Sequence, residues 1–277
     1  MAIVGGPMRR ENAIEQNIHA HDIVSDVYDD VHGEIFNPVE QSRLRVQLAQ
    51  AIEYITTNRE PLVALDYGCG SGNLTRHLLA LGLHVVAADV SREFLRIVTS
   101  RFGASDSIGT LAINGRDLST VSNDSYDLTA TYSVLHHVPD YLSIVRELAR
   151  VTRSGGVIYL DHEFSDGYWR MESNYKLFLA AVQPPVKRSW KRFLVASNYL
   201  TLIRRKFNPR YQPEGDIHVW PDDHIEWDKI ASVLNDSGCA IVHEQDYLLF
   251  KRGYSRAVHA AYQTKCHDTH VLIAKKL

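Results

Sequence analysis

Cysteine is scarce in this chain: Cys69, Cys239 and Cys266 are the only three in 277 residues. The number is odd and the spacing wide. That excludes a disulfide framework and any thiolate zinc site, and it fits a reducing compartment. Long apolar runs are missing as well. Nothing approaches the roughly 18 consecutive apolar residues that a membrane-spanning helix needs. The first twenty residues carry charges and no apolar stretch of the secretory type. The expectation is a cytoplasmic protein with no transmembrane segment. Charge of one sign is also lacking: 30 Lys and Arg stand against 33 Asp and Glu, a net charge of −3. Tight phosphate binding needs a broad positive field, so a nucleic-acid partner is disfavoured. There is no internal repeat and no low-complexity tract. No paired His spacing of the metal-binding kind occurs, and no metal site is expected.

What is present is a core-building chain. Hydrophobic residues make up 45% of it and charged residues 23%, enough for one enlarged domain or for a core with additions. Strand and helix patterns alternate through the middle. Leu62 to Leu65 reads as a buried strand, followed by Asp66 and by glycines at alternate positions, Gly68, Gly70 and Gly72. A helical pattern follows at Leu74, Leu78, Leu79 and Leu81. Strand, glycine turn and helix bring a ligand against bare backbone at a helix N-terminus. In the dinucleotide-binding G-x-G-x-x-G turn the third glycine comes one residue later, where this chain has Asn73. Asp66 would repel a pyrophosphate and suits a cationic ligand.

Val85 to Asp89 is a second buried strand ending in an acid, 23 residues after Asp66, close to where an acid meets a ribose diol in α/β nucleotide sites. Asp89 also reads as a helix cap, a role for which Ser91 competes. Leu111 to Leu118 reads as a third strand and turn. Tyr126 to Tyr132 reads as a fourth, followed by Ser133-Val134-Leu135-His136-His137-Val138-Pro139-Asp140. Leu142 to Val151 repeats apolar residues at helical spacing, Ser154-Gly155-Gly156 breaks it, and Val157 to Asp161 supplies a fifth strand.

The Asp66-x-Gly68-x-Gly70-x-Gly72 turn, with the acids and strand ends that follow, resembles the class I methyltransferases that depend on S-adenosylmethionine (SAM). The resemblance is strong over about residues 62 to 163 and weak toward the ends. It implies an α/β fold: a doubly wound, seven-stranded, mainly parallel sheet whose last strand is antiparallel. It implies SAM as cofactor and S-adenosylhomocysteine (SAH) as product. It also implies a cofactor-binding set of Tyr28, Asp66, Gly68, Cys69, Gly70, Asn73, Asp89, Val90, Asp117, Leu118 and Tyr132. In that set Asp89 holds ribose hydroxyls and Asp117 accepts from the adenine amino group. The sheet would close with a helix over Ile225 to Ser237, then a hairpin of Ala240 to Phe250 and Thr269 to Lys275.

Additions flank this core, and the expected organisation has four parts. Residues 1–58 are a tail and helical cap, with one helix from Ile14 to Ile23 and another from Val39 to Ile55 that Asn37 would cap. Tyr28 reads either as facing the cofactor or as a hydrophobic anchor. Residues 59–163 are the SAM-binding core. Residues 164–224 are a helical insertion at the place where many family members carry an acceptor lid, and residues 225–277 complete the sheet. From Ser165 to Gly215 the insertion holds ten Lys and Arg against three acids, with nine aromatics between them. A basic, aromatic segment can hold an acidic or phosphate-bearing acceptor, rest on an anionic membrane surface, bind RNA, or be a solvated outer face.

Methyl transfer from a sulfonium needs a base only where the nucleophile starts protonated. Candidates at the carboxyl edge of the sheet are His136 and His137 after the fourth strand, and His162 and Glu163 after the fifth. Strand alternation predicts Asp161 and Glu163 on one face and His162 on the other. Asp222 or Asp223 would cap the helix entering at Ile225. The function expected is methyl transfer to a small-molecule acceptor, at oxygen or nitrogen sooner than carbon. The alternatives are an NAD(P)-dependent oxidoreductase, a SAM-fold binding or scaffold protein, and an RNA or lipid-linked acceptor. Oligomerisation stays open.

Overall fold

The computed structural model describes residues 32–103, 105–182 and 224–277. The expected helix from Ile14 to Ile23, Tyr28, the bulk of the basic insertion, and Asp222 and Asp223 lie outside the described residues.

Seven strands form one sheet: β1 (Val63–Tyr67), β2 (His84–Asp89), β3 (Ile108–Ala112), β4 (Tyr126–Tyr132), β5 (Thr152–Phe164), β6 (Cys239–Tyr247) and β7 (Thr269–Lys276). Their order is β3-β2-β1-β4-β5-β7-β6. β7 is antiparallel to both β5 and β6, and the pairings from β3 through β5 are parallel. The chain winds outward from β1 to β3, then returns to the other side of β1 with β4. This reversal opens a crevice at the carboxyl ends of β1 and β4, where open α/β sheets take their ligands.

The period-two pattern of the strands explains the two buried faces. Leu65, Ile158, Leu160 and Leu272 pack with α4 (Tyr141–Val151) and α7 (Trp227–Asp236). Ala64, Leu128, Val157, Tyr159 and Ile273 pack with α1 (Pro38–Glu53) and α2 (Asn73–Ala80). α3 (Arg92–Phe102) covers the β2–β3 edge through Leu95 and Val98. Of the insertion, α5 (Asp166–Arg170) and α6 (Ser173–Val182) are described. Tyr175, Phe178 and Val182 of α6 bury against Leu248 and Cys266. The strands of the final pair are joined through α8 (Arg256–Tyr262), so they are antiparallel neighbours without a tight hairpin turn.

Several local expectations shift. β3 starts three residues early and stops at Ala112, because the Asn114 side-chain oxygen accepts from the N–H groups of Arg116 and Asp117 and folds the chain into a turn. The Ser154-Gly155-Gly156 triplet does not precede β5 but lies inside it, where the register against β4 shifts between Tyr126 and Leu128. α7 begins at Trp227, two residues later than expected, with Glu226 in the cap position. The cap of α1 is as expected: the Asn37 side chain accepts from Val39 N and Glu40 N, both at 3.1 Å.

The largest correction is at the end of β5. His162 has φ +66, and the pairing with β7 is bulged between Asp161 and Glu163. A bulge cancels the alternation. Asp161 therefore bonds Arg43 of α1, on one face of the sheet, while Glu163 bonds the backbone after β4, on the other. The two carboxylates do not share a face.

Candidate functional site

The glycine turn after β1 forms the floor of the crevice. Gly68 has φ +73, and a Cβ there would lie 2.5 Å from Val134 Cγ2. Gly72 starts α2 at φ +90, and a Cβ there would lie 2.6 Å from the Phe102 ring. Neither position accepts a side chain without moving its neighbours. The turn is tied to β2: Gly70 N donates to Asp89 Oδ2 at 2.9 Å, and Ser91 N donates to Asp89 Oδ1 at 2.8 Å. Ser91 caps α3 by accepting from Phe94 N. Asp89 is thus a clamp between turn and strand, and the capping role falls to Ser91.

One pocket occupies this crevice. Of the cofactor set that the resemblance implies, Asp66, Gly68, Cys69, Gly70, Asn73, Asp89, Val90 and Tyr132 line it. The sequence did not single out Ile35, Phe94 or Ile113, apolar residues that line it together with Phe36 and Val134. Their signal was only position, since each follows or precedes a strand or cap. Asp117 and Leu118 are absent from the lining. Asp117 Oδ1 accepts from Asn114 Nδ2, Ser119 N and Ser119 Oγ, and these bonds hold its carboxylate below its usual pKa range. Leu118 is buried in the core, with its N–H donating to Glu147.

The pocket is polar at chosen points. Asp66 is fully buried and accepts from Thr75 Oγ1 at 2.5 Å. Burial, helped by the nearby Asp89 charge and opposed by Thr75, lifts its pKa to about 7. Asn73 Nδ2 is a buried donor without a partner on the pocket wall, while its Oδ1 accepts from Gln41 of α1 at 2.9 Å. Burial pushes the Cys69 thiol well up, so it is no nucleophile at neutral pH. Bare backbone, two strand-end acids and an orphaned amide fit an amino-acid-bearing nucleoside with a cationic centre. They do not fit a pyrophosphate.

Beside the pocket stands a second group. Glu163, 2% exposed, accepts from Val134 N at 2.8 Å and Leu135 N at 2.7 Å through one oxygen, and from His136 Nδ1 at 2.7 Å through the other. This pair fixes the imidazole and the 3-10 turn from Leu135 to His137. His137 itself lines the pocket, with its ring 4.0 Å from that of His136. His162 lies on the other side of β5, stacked on Tyr132 at 4.6 Å, where burial lowers its pKa to about 4 and keeps it neutral. His32 and Glu34 pair as well, with 2.8 Å between Nδ1 and Oε1, in a half-buried setting. Among the described residues no cluster could hold a metal ion, and no helix is long and apolar enough to cross a membrane.

The sheet order and this pocket make an α/β core that takes its ligand at the carboxyl ends of β1 and β4. Residues 65–160 match the family model described as a methyltransferase domain. Over these residues the chain is similar to the class I methyltransferases, the class whose cofactor is SAM. Among curated relatives, the ubiquinone biosynthesis O-methyltransferase of Xanthomonas axonopodis pv. citri is 31% identical over 114 residues, 39% of this chain and 47% of the relative. The enzyme of the same description from Hydrogenovibrio crunogenus is 24% identical over 177 residues, 63% of this chain and 68% of the relative. The chain spans about half the length of the first of these. Among solved structures, a SAM-dependent methyltransferase from Mesorhizobium loti shares the fold with TM-score 0.52 and 18% identity, covering 83% of this chain and 96% of that one. Magnesium protoporphyrin IX methyltransferase from Synechocystis, with SAH bound, does so with TM-score 0.52 and 15% identity, covering 95% of this chain and 100% of that one.

Proposed function

We propose that this protein methylates a hydroxyl oxygen on a small-molecule acceptor. The observation that carries the reading is the His136–Glu163 pair at 2.7 Å, set beside the pocket at the carboxyl end of β4. SAM, when bound, supplies an electrophilic methyl group on a sulfonium and leaves as SAH. Asp66, Asn73, Asp89 and the backbone from Gly68 to Gly72 would hold it. The chain's own task is then to position an oxygen and take its proton. Glu163 Oε1 already accepts two backbone N–H groups, and Oε2 faces the imidazole as a further acceptor. His136 donates to it from Nδ1. In the neutral ring the basic nitrogen is therefore Nε2, the atom that would receive the acceptor's proton as the carbon–oxygen bond forms. Glu163 is a positioning residue and His136 the base. The O-methyltransferase relatives support oxygen over nitrogen.

The basic segment from Ser165 to Gly215 supports an acceptor that also bears an acidic or phosphate group. Arg188, Arg192, Arg204 and Arg205, the residues for that contact, lie outside the described residues. The buried free thiols fit a cytoplasmic setting.

Turnover is followed as SAH release from SAM with a panel of phenols and catechols. His136→Ala is expected to lower kcat at least 100-fold with SAM affinity kept, the usual scale for losing a base. Glu163→Gln is expected to lower it less and to shift the acid limb of the pH profile. Wild-type kcat in both variants overturns the assignment.

A further inference from the structure

Asn73 Nδ2 is a buried donor without a partner, on a residue that is 8% exposed and lines the pocket. Asn73 is the first residue of α2, directly after Gly72. The other end of its amide is held by a chain of hydrogen bonds that starts at the surface. Arg76 is exposed and can only donate. From Nη2 it donates to Gln41 Oε1 of α1, which also accepts from His77 Nε2 at 2.7 Å. The Gln41 oxygen is fixed there, so its nitrogen faces the other way. Gln41 Nε2 donates to Asn73 Oδ1 and to Ile35 O, both at 2.9 Å. Arg76 Nη2 reaches Asn73 Oδ1 as well, at 3.3 Å.

The sense of the Asn73 amide follows from this chain. Its oxygen meets two donors, and a reversed amide would set its NH2 group against both. The nitrogen is therefore the end left for a ligand. Gln41 by contrast is saturated, with two bonds donated and two accepted. Unmet buried donors are few in native proteins, and each calls for an explanation. Here the unmet donor lies on the pocket wall and the saturated residue behind it. Ile35, which Gln41 also holds, lines the same pocket.

We infer that Asn73 Nδ2 binds the carboxylate at the amino-acid end of the cofactor, and that Gln41 is the positioning residue that holds the amide in this sense. The inference rests on the SAM reading above and adds which side chains of α1 and α2 select the amino-acid end. The sign suits an anion. Asn73 opens an eight-residue helix, whose N-terminal end carries partial positive charge. Arg76 polarises the amide from behind, through its oxygen. An α-amino acid carries an ammonium and a carboxylate on one carbon, so its two subsites must adjoin and differ in sign. Asp66 supplies the negative one. It lines the same pocket, and Thr75, two residues after Asn73, donates to it. An anion without the ammonium would face Asp66 uncompensated, so the pair of subsites selects the zwitterion.

The test is calorimetry on the full chain with two ligands, SAH and decarboxylated SAH, in which hydrogen replaces the carboxylate. Asn73→Asp keeps the side-chain shape and exchanges the donor for an acceptor. Gln41→Glu keeps the bond to Arg76 and can no longer donate to Asn73 Oδ1, so Asn73 is drawn to turn its NH2 group away from the pocket. The wild type is expected to bind SAH about tenfold or more tighter than decarboxylated SAH, the scale of a charge-assisted hydrogen bond. Asn73→Asp should lose about tenfold or more in SAH affinity and Gln41→Glu about threefold or more, while decarboxylated SAH stays within about twofold of wild type in both. Retained binding of the decarboxylated ligand also shows that the pocket is folded. Equal binding of the two ligands by the wild type overturns the carboxylate assignment. A parallel loss of both ligands in Asn73→Asp overturns it too, by making Asn73 a structural residue. Wild-type affinities in Gln41→Glu overturn the positioning role. Failure of the wild type to bind SAH at all is a different result, and it removes the methyltransferase reading together with this one.

Discussion

Asp66 and Gly68 are the residues on which the pocket depends most, and they act through different physics. Gly68 is steric. Its φ of +73 is costly for any other residue, and the 2.5 Å approach to Val134 leaves no room for a methyl group. Gly68→Ala is expected to cost about 1–3 kcal/mol in a urea titration and to abolish SAM binding, since relief requires Val134 to move off the pocket wall. Asp66 is electrostatic. Its pKa of about 7 means that the free protein carries a proton there in acid. A cationic group seated against Asp66 requires the ionised form. Below pH 7 binding must therefore expel that proton, and affinity weakens by up to about tenfold per pH unit as pH falls. Above pH 7 the dependence vanishes. Calorimetry in two buffers of different ionisation heat checks this through proton release at pH 6 and none at pH 8.5, and Asp66→Asn should flatten the profile. The acid and the glycines were legible in the sequence because residue type and spacing carry them. The pKa was not, because it arises from burial beneath α2.

At the scale of elements, the strands and helices were legible where one period dominated. Leu44, Leu48 and Ala51 of α1 mark a buried face at helical spacing, and all three are fully buried. β4 has its expected ends. What stayed hidden was what a single residue does to a period. One left-handed His162 sends Asp161 and Glu163 to opposite faces, and no pattern of apolar residues announces a bulge at the end of a buried strand. The bond between Arg43 and Asp161 was hidden for the same reason. Its members are 118 residues apart. α1 is fastened chiefly at its start. Asn37 caps it, and Asn37 Nδ2 donates to Gly33 O, Glu34 O and, at 2.9 Å, to Phe250 O. Asn37→Ala removes the cap and leaves a buried carbonyl unmet, so it is expected to cost roughly 2–4 kcal/mol, more than the ~1 kcal/mol of an isolated cap. Urea midpoints with unchanged slope would show this as stability alone. A cost under about 0.5 kcal/mol would mean that α1 is held by its apolar face and not by its cap.

For the whole molecule, the decisive contrast is between a methyl donor and a dinucleotide, because the sheet topology alone accommodates either. The residues discriminate. A pyrophosphate needs helix N-terminal N–H groups and no nearby anion. Here Asp66 and Asp89 end the two strands that flank the turn, and Gly70 N is already bound to Asp89. A cofactor with a cationic centre meets the same acids favourably. The two strands and the turn are central to the fold, so a ligand gripping them stabilises the native state as a unit. A ligand at 100 times its dissociation constant adds about 2.7 kcal/mol if it binds only that state. For a chain of this size that corresponds to a rise in Tm on the order of 5–10 °C. SAM and SAH should both produce it at pH 8, where Asp66 is ionised, and both should do so less at pH 6. NADH and NADPH should leave Tm unchanged at either pH. A rise with NADPH and none with SAH would mean that the turn receives phosphate despite its acids, and the charge argument from Asp66 would fall with it.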